Sequence, residues 1–254
     1  MYFKQLQELA GGLRFFDLDT VMRAVGPDGD RAAMVRELYR WRQAGKLIAW
    51  RRELYSIDPR HGGPEIHPHE LACEIHPPSY LSLCTALTLH GALDPAKFAK
   101  EHRRAAAGVQ AAAAAGVPAA AGVEAIRGLG PRRAALLVST FDPPETLSVV
   151  GTKHSGINQT PLGEIWRHRI QPSLFWGFSE EVVGSGVARI TLPHKALLDL
   201  WYLSPRGWTP YVYERLQLNA QLIDIAALES SLAMFSNTRR IETALLNYER
   251  YAGL

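Results

Sequence analysis

Seven basic side chains fall between positions 31 and 52: Arg31, Arg36, Arg40, Arg42, Lys46, Arg51 and Arg52. Glu37 is the one acid among them, so these 22 residues carry +6, twice the formal +3 of the whole 254-residue chain. Guanidinium groups at that density suit a polyanion, because they pair with phosphates and can bond base edges through two N–H groups at once. At about 100° per residue, Met34, Leu38 and Trp41 share a narrow apolar arc that must face a core. Ala32, Arg36, Tyr39, Arg40 and Gln43 then point the other way. A small residue beside Arg and Gln is the kind of face that enters a major groove. On this argument Arg36, Tyr39, Arg40 and Gln43 are the expected base readers. Arg31, Arg42, Arg51 and Arg52 are the expected phosphate contacts, with Lys46 on the same surface. The competing reading is a solvated basic face with no ligand.

Other constellations are weaker. His67, His69, Cys73 and His76 lie within ten residues, yet a zinc tetrahedron wants paired ligand spacings, and Pro68, Pro77 and Pro78 stiffen this segment. It is expected to be a solvated connector that holds no metal. Cys73 and Cys84 are expected to be inert, semi-buried thiols. Asp142, Glu145 and Glu164 are acids near strands, but no Lys completes the Glu-x-Lys pattern of a metal-dependent nuclease. Gly184-Ser185-Gly186 followed by Asp199 has the outline of a nucleotidyltransferase site, but Trp201 stands where the second carboxylate is required. Ser79, Ser82 and Ser155 sit in no Gly-x-Ser-x-Gly elbow. Lys153-His154-Ser155-Gly156 reads as a polar loop. No catalytic residue and no cofactor is expected.

The elements that must position the basic face are short. Tyr2 to Ala10 has helical apolar spacing and stops at Gly11-Gly12; Asp17 can cap a second helix through Val25; Asp28 or Asp30 can cap a third that ends before Gly45. Lys46 to Ile57 reads as two strands around the charged tip Arg51-Arg52-Glu53. Three helices and a hairpin predict a winged helix-turn-helix over residues 1–60. Residues 61–78 are expected to be a linker and 79–254 a second domain, opening with a helix from Ser79 to Gly91. An Ala-rich insertion at 105–122 has little to bury. Strands are predicted at 135–140, 146–151, 165–170, 174–178 and 187–191, then helices from Pro193, Thr209, Asp224 and Asn237. The expected class is α+β: a winged helix followed by a mixed α/β domain with a helical tail.

Composition narrows the classes further. The chain is 47% hydrophobic and 21% charged, which excludes a disordered or collagen-like chain. Two cysteines make no disulfide framework. The start, MYFKQLQELA, lacks the apolar stretch of a signal peptide, and no apolar run reaches the ~20 residues needed to cross a bilayer. A cytoplasmic protein that avoids membranes is expected.

Four blocks carry a resemblance to a known family. They are Gly45-Lys46-Leu47 with Leu54-Tyr55-Ser56-Ile57; Pro78-Ser79-Tyr80-Leu81-Ser82-Leu83-x-x-Ala86-Leu87-x-x-His90-Gly91; Ile170-x-Pro172-x-Leu174-Phe175-x-Gly177; and Ala196-Leu197-Leu198-Asp199-Leu200-x-Tyr202-Leu203. Together they resemble AbiEi-type antitoxins of type IV toxin–antitoxin (abortive infection) systems, from about residue 13 to 250. Two departures stand out: the Ala-rich insertion, and Pro193-His194-Lys195-Ala196 where Pro-Glu-Lys-Ala is common in the family. The resemblance implies a bifunctional, non-enzymatic protein. Its winged helix would bind inverted repeats in double-stranded operator DNA as a dimer and repress its own operon. Its second domain would counteract a co-encoded nucleotidyltransferase toxin without a required stable complex. The alternatives are a nucleic-acid-cleaving enzyme using acids such as Glu164, and a ligand-responsive transcription regulator.

Overall fold

The computed structural model describes residues 2–27, 29–97, 99–100, 103, 146–204, 208–235 and 239–254. The Ala-rich insertion, the strand expected at 135–140, Asp142 and Glu145 lie outside them. The fold is mixed α+β.

The N-terminal unit begins with α1 (Phe3–Ala10), α2 (Leu18–Val25) and α3 (Arg31–Gln43). Two caps act as read from sequence: Asp17 accepts from the Thr20 amide at 2.7 Å and Asp30 from the Ala33 amide at 3.0 Å. Gly45, at φ +67°, ends α3 in the left-handed region and lets the Lys46 amide reach the Trp41 carbonyl at 2.9 Å. The chain then forms an antiparallel hairpin of β1 (Leu47–Arg51) and β2 (Leu54–Ile57). Phe16, between α1 and α2, exchanges two backbone hydrogen bonds with Tyr55, each 2.9 Å, adding a third extended segment beside the hairpin. Leu6, Phe16, Val21, Met34, Leu38, Trp41, Leu47 and Ile57 close one small core.

The larger unit is a six-stranded sheet in the order β5-β6-β4-β3-β8-β7. Its strands are β3 (Ser79–Leu81), β4 (Leu147–Gly151), β5 (Gly156–Thr160), β6 (Gly163–Arg169), β7 (Phe178–Val183) and β8 (Gly186–Thr191). The β3/β8 and β4/β6 pairs are parallel and the other three antiparallel. Helices α4 (Pro68–Glu74) and α5 (Leu83–Leu89) flank β3, and α6 (Pro193–Leu203), α7 (Pro210–Leu216), α8 (Ile225–Leu232) and α9 (Arg239–Ala252) follow the sheet. Side chains alternate along β3: Ser79 donates to the Cys73 carbonyl on α4, whereas Tyr80 reaches Asp199 on α6. The two helices therefore cover opposite faces. Among the described residues no helix is long and apolar enough to cross a membrane.

Several expectations need correcting. Residues 61–78 are no solvated connector: Pro68 starts α4, and Leu71, Ala72, Cys73 and Ile75 are buried in the large core. Pro at the first helical turn is compatible with helix, and the apolar face behind it drives the packing. The expected helix from Ser79 to Gly91 is split into β3 and α5, with Leu83 at φ +56° turning the chain between them. That sharp strand-to-helix turn holds leucine where a hydrolase would present a nucleophile. The strand expected at 174–178 is a 3₁₀ turn (Pro172–Leu174), with β7 starting only at Phe178. β5 was not anticipated.

Candidate nucleic-acid interface

Helix α3 is held by its apolar side. Met34, Leu38 and Trp41 are buried, and the Phe3 ring meets Trp41 edge-on at 5.5 Å, fixing α1 against it. Arg40 and Arg42 in the last turn oppose the negative end of the helix dipole. The other side faces solvent: Arg36 and Arg40 side chains are 71% and 73% exposed, Tyr39 is 61% exposed, and Ala32, Arg42 and Gln43 are exposed with them. Val35, 49% exposed, joins this face one turn before Tyr39 and adds an apolar contact surface that the charge pattern did not reveal.

The face is not bare positive charge. Arg31 pairs with Asp19 at 2.6 Å, Arg40 with Glu37 at 2.7 Å, and Arg36 lies 3.8 Å from Asp30. Exposed pairs of this kind are worth about 0–1 kcal/mol, so a phosphate or a base edge can replace the carboxylate at small cost. Burial spares all three arginines.

The hairpin divides the remaining predicted residues. Arg52 is exposed at the tip. Lys46 is half-buried, its Nζ 4.9 Å from the centre of the Phe3 ring, so part of its charge serves the α1–α3 junction. Arg51 is turned differently from the others. Its Nε donates to the Ile75 carbonyl and its Nη1 to the Arg52 carbonyl at 2.7 Å, turning the side chain toward the second unit. A register shift between Ala49 and Arg51 redirects the strand end. Arg51 is removed from the outward-facing set.

Of the acids of the nuclease alternative, Asp142 and Glu145 lie outside the described residues, and Glu164 is the one whose surroundings are seen. The Glu164 carboxylate accepts from Trp166 Nε1 at 2.9 Å and from Gln159 Nε2, and these bonds hold its pKa below the usual range. Asp199 is fully buried and receives bonds from Lys195 Nζ, from Ser82 Oγ at 2.8 Å and from Tyr80 OH at 3.1 Å. Burial pushes the Asp199 pKa up and the Lys195 pKa down, while their mutual attraction opposes both shifts. Trp176, Tyr80 and Phe235 enclose the ammonium at 5.0, 5.4 and 5.8 Å from their ring centres. This cluster, with Lys195 and Asp199 fully buried, ties β3 to α6. The i, i+4 spacing of Lys195 and Asp199 is the sequence signal for this pair.

The His67 and His69 rings meet edge-on at 4.7 Å, Cys73 is buried with its Sγ on the Arg189 carbonyl, and His76 lies beside His154. Among the described residues no group of three His, Cys, Asp or Glu side chains could hold a metal ion. Compared with known proteins, the chain matches no family model, no curated protein and no solved structure.

Proposed function

We propose that this protein binds double-stranded DNA through a winged helix-turn-helix and represses its own operon as the antitoxin of a nucleotidyltransferase toxin, acting in the cytoplasm. The carrying observation is the outer face of α3, where Ala32, Arg36, Tyr39, Arg40 and Gln43 stand exposed on a helix anchored by Met34, Leu38 and Trp41. The order of three helices and a hairpin, with Phe16 bridging Tyr55 as a third short strand, supports the winged-helix reading. In that arrangement α3 enters the major groove, Arg52 on the hairpin tip meets the adjacent backbone, and a second copy occupies a half-site about one helical turn away. The antitoxin role rests on the resemblance of the second unit to AbiEi-type antitoxins.

Two experiments test the two halves. Fluorescence anisotropy on DNA from upstream of the protein's own reading frame should give saturable binding that R36A/R40A abolishes; equal binding by that variant overturns the groove assignment. Co-expression with the neighbouring nucleotidyltransferase should restore growth. Failure to restore it with an abundant, folded protein overturns the antitoxin role and leaves a plain repressor.

A further inference from the structure

The protein's ion-paired arginines have a pattern: Arg14, Arg31, Arg36, Arg40, Arg60 and Arg189 each sit on a carboxylate. A second group of cations breaks it. Where β1 of the hairpin meets β5 at the edge of the large sheet, Arg51, His76, Lys153, His154 and Arg167 gather from four separate segments. The His76 and His154 rings are 5.8 Å apart, and Arg167 Nη1 lies 3.4 Å from His154 Nε2. A guanidinium only donates, so His154 Nε2 is the acceptor in that contact. Among the described residues none of the five forms an ion pair.

The strain of this arrangement is visible in its parts. Arg167 Nε is buried without a hydrogen-bond partner among the described residues, although a charged donor shielded from water costs far more than one left in it. Gly156 has no side chain where Arg167 Nη2 passes; a Cβ there would stand 2.8 Å from it. Burial, and then Arg167, Arg51, His154 and Lys153, push the His76 pKa down to about 4. Burial and then Arg51 lower that of Arg167.

We propose that Arg51, His76, Lys153, His154 and Arg167 form a binding site for a phosphate dianion, either inorganic phosphate or the terminal phosphate of a small ligand. A doubly charged oxyanion satisfies every feature at once. It accepts from Arg167 Nε, which no described residue meets, balances a cluster that forms no ion pair among the described residues, and accepts from the imidazoles. The half-buried position of His76 and Arg167 favours a terminal phosphate over a phosphodiester, which carries one charge and two bulky substituents. The site stands whether or not α3 binds DNA, because it uses none of the residues on the helix face.

Isothermal titration of the full chain with inorganic phosphate and with pyrophosphate tests it. One saturable site is expected, weakened about tenfold or more by R167M, as loss of a charge-assisted bond requires. K153A, at an exposed position where folding is not at risk, should weaken it by a smaller factor, and R42A on α3 should leave it unchanged. Absence of saturable binding up to about 10 mM, or equal affinity in wild type, R167M and K153A, overturns the proposal. So does loss of duplex binding in R167M without any detectable phosphate binding, which would make the cluster a DNA-backbone contact. A phosphorylated small ligand is distinguished from free phosphate by titrating a nucleoside monophosphate against phosphate: tighter binding of the former, still sensitive to R167M, identifies the ligand source.

Discussion

Arg14 clamps the buried carboxylate of Glu70, its Nε on Oε1 and its Nη2 on Oε2 at 2.6 Å, and so joins the loop after α1 to helix α4 of the large unit. The same guanidinium donates to the Glu65 carbonyl at 2.7 Å and to Ser185 Oγ, at 3.2 Å, in the β7–β8 turn. The clamp has a second requirement: a Cβ on Gly186 would lie 2.3 Å from Glu70 Oε2, so glycine is needed there for the carboxylate to fit. Trp50 and Leu54 of the hairpin also belong to the large core. The helical unit is thus fastened to the sheet at two places.

Removing the arginine leaves Glu70 buried without its counter-charge. R14A should lower stability by about 3 kcal/mol, the low end for a broken buried pair because Arg14 is partly exposed. Urea unfolding measures the loss. Hydrogen exchange should show faster opening of α2 and α3 with less change in β4 and β6. A loss below about 0.5 kcal/mol, the usual range for surface changes, would make the clamp a surface contact.

The Lys195–Asp199 pair makes a different prediction, because both partners are fully buried. Breaking it from one side should cost about 3–5 kcal/mol, whereas replacing both partners with apolar residues should recover most of that. K195M and D199L alone are therefore expected to be far less stable than K195M/D199L. Chemical denaturation of the three variants checks this. If the double variant is as unstable as the sum of the singles, the charges are held for more than each other.

How much of this was legible follows from what each element needs. α1, α2 and α3 could be read because local signals mark them: Asp17 and Asp30 as caps, Gly45 as a stop, and Met34-Leu38-Trp41 as an inward arc. α4 was hidden because Pro68 and three histidines look like loop, while its burial depends on a sheet built from residues far along the chain. β3 is three residues long, too short for any period to show. β5, Gly-Ile-Asn-Gln-Thr, is a polar edge strand with weak alternation. Arg51 and Arg167 come together only through packing between units, which neither local sequence encodes.

Under the DNA-binding role proposed above, three arginines should differ in kind. R40A removes a base reader and should relax preference at one position by about 1–3 kcal/mol. R52A removes a phosphate contact, weakening all sequences alike and reducing the slope of log affinity against log salt by roughly one. R51M should leave that slope unchanged, because its guanidinium is already committed to the Ile75 and Arg52 carbonyls. Anisotropy titrations at several salt concentrations separate the three. Identical slopes for R52A and wild type would remove the hairpin tip from the interface.

His76 supplies a prediction about acid. It is faced by Arg167 from β6, Arg51 from β1, and Lys153 and His154 from the β4–β5 loop, and its pKa is depressed from 6.5 to about 4, burial being the largest cause. Between those values the unfolded chain binds a proton that the native state refuses, so this group makes stability fall as pH falls from about 6.5 toward 4. H76Q removes that contribution: its urea midpoint should drop less than that of wild type between pH 7 and pH 5. Saturating phosphate should act on wild type in the same sense, because an anion beside the ring favours the imidazolium. At pH 5.5 the ring should then take up a proton as phosphate, entering as the dianion, gives one up; H76Q should shift the net exchange toward release, read as a change in how the binding heat depends on the ionisation heat of the buffer. Parallel pH curves for H76Q and wild type would mean that the ring titrates as it does in water, and that the cations around it leave it unaffected.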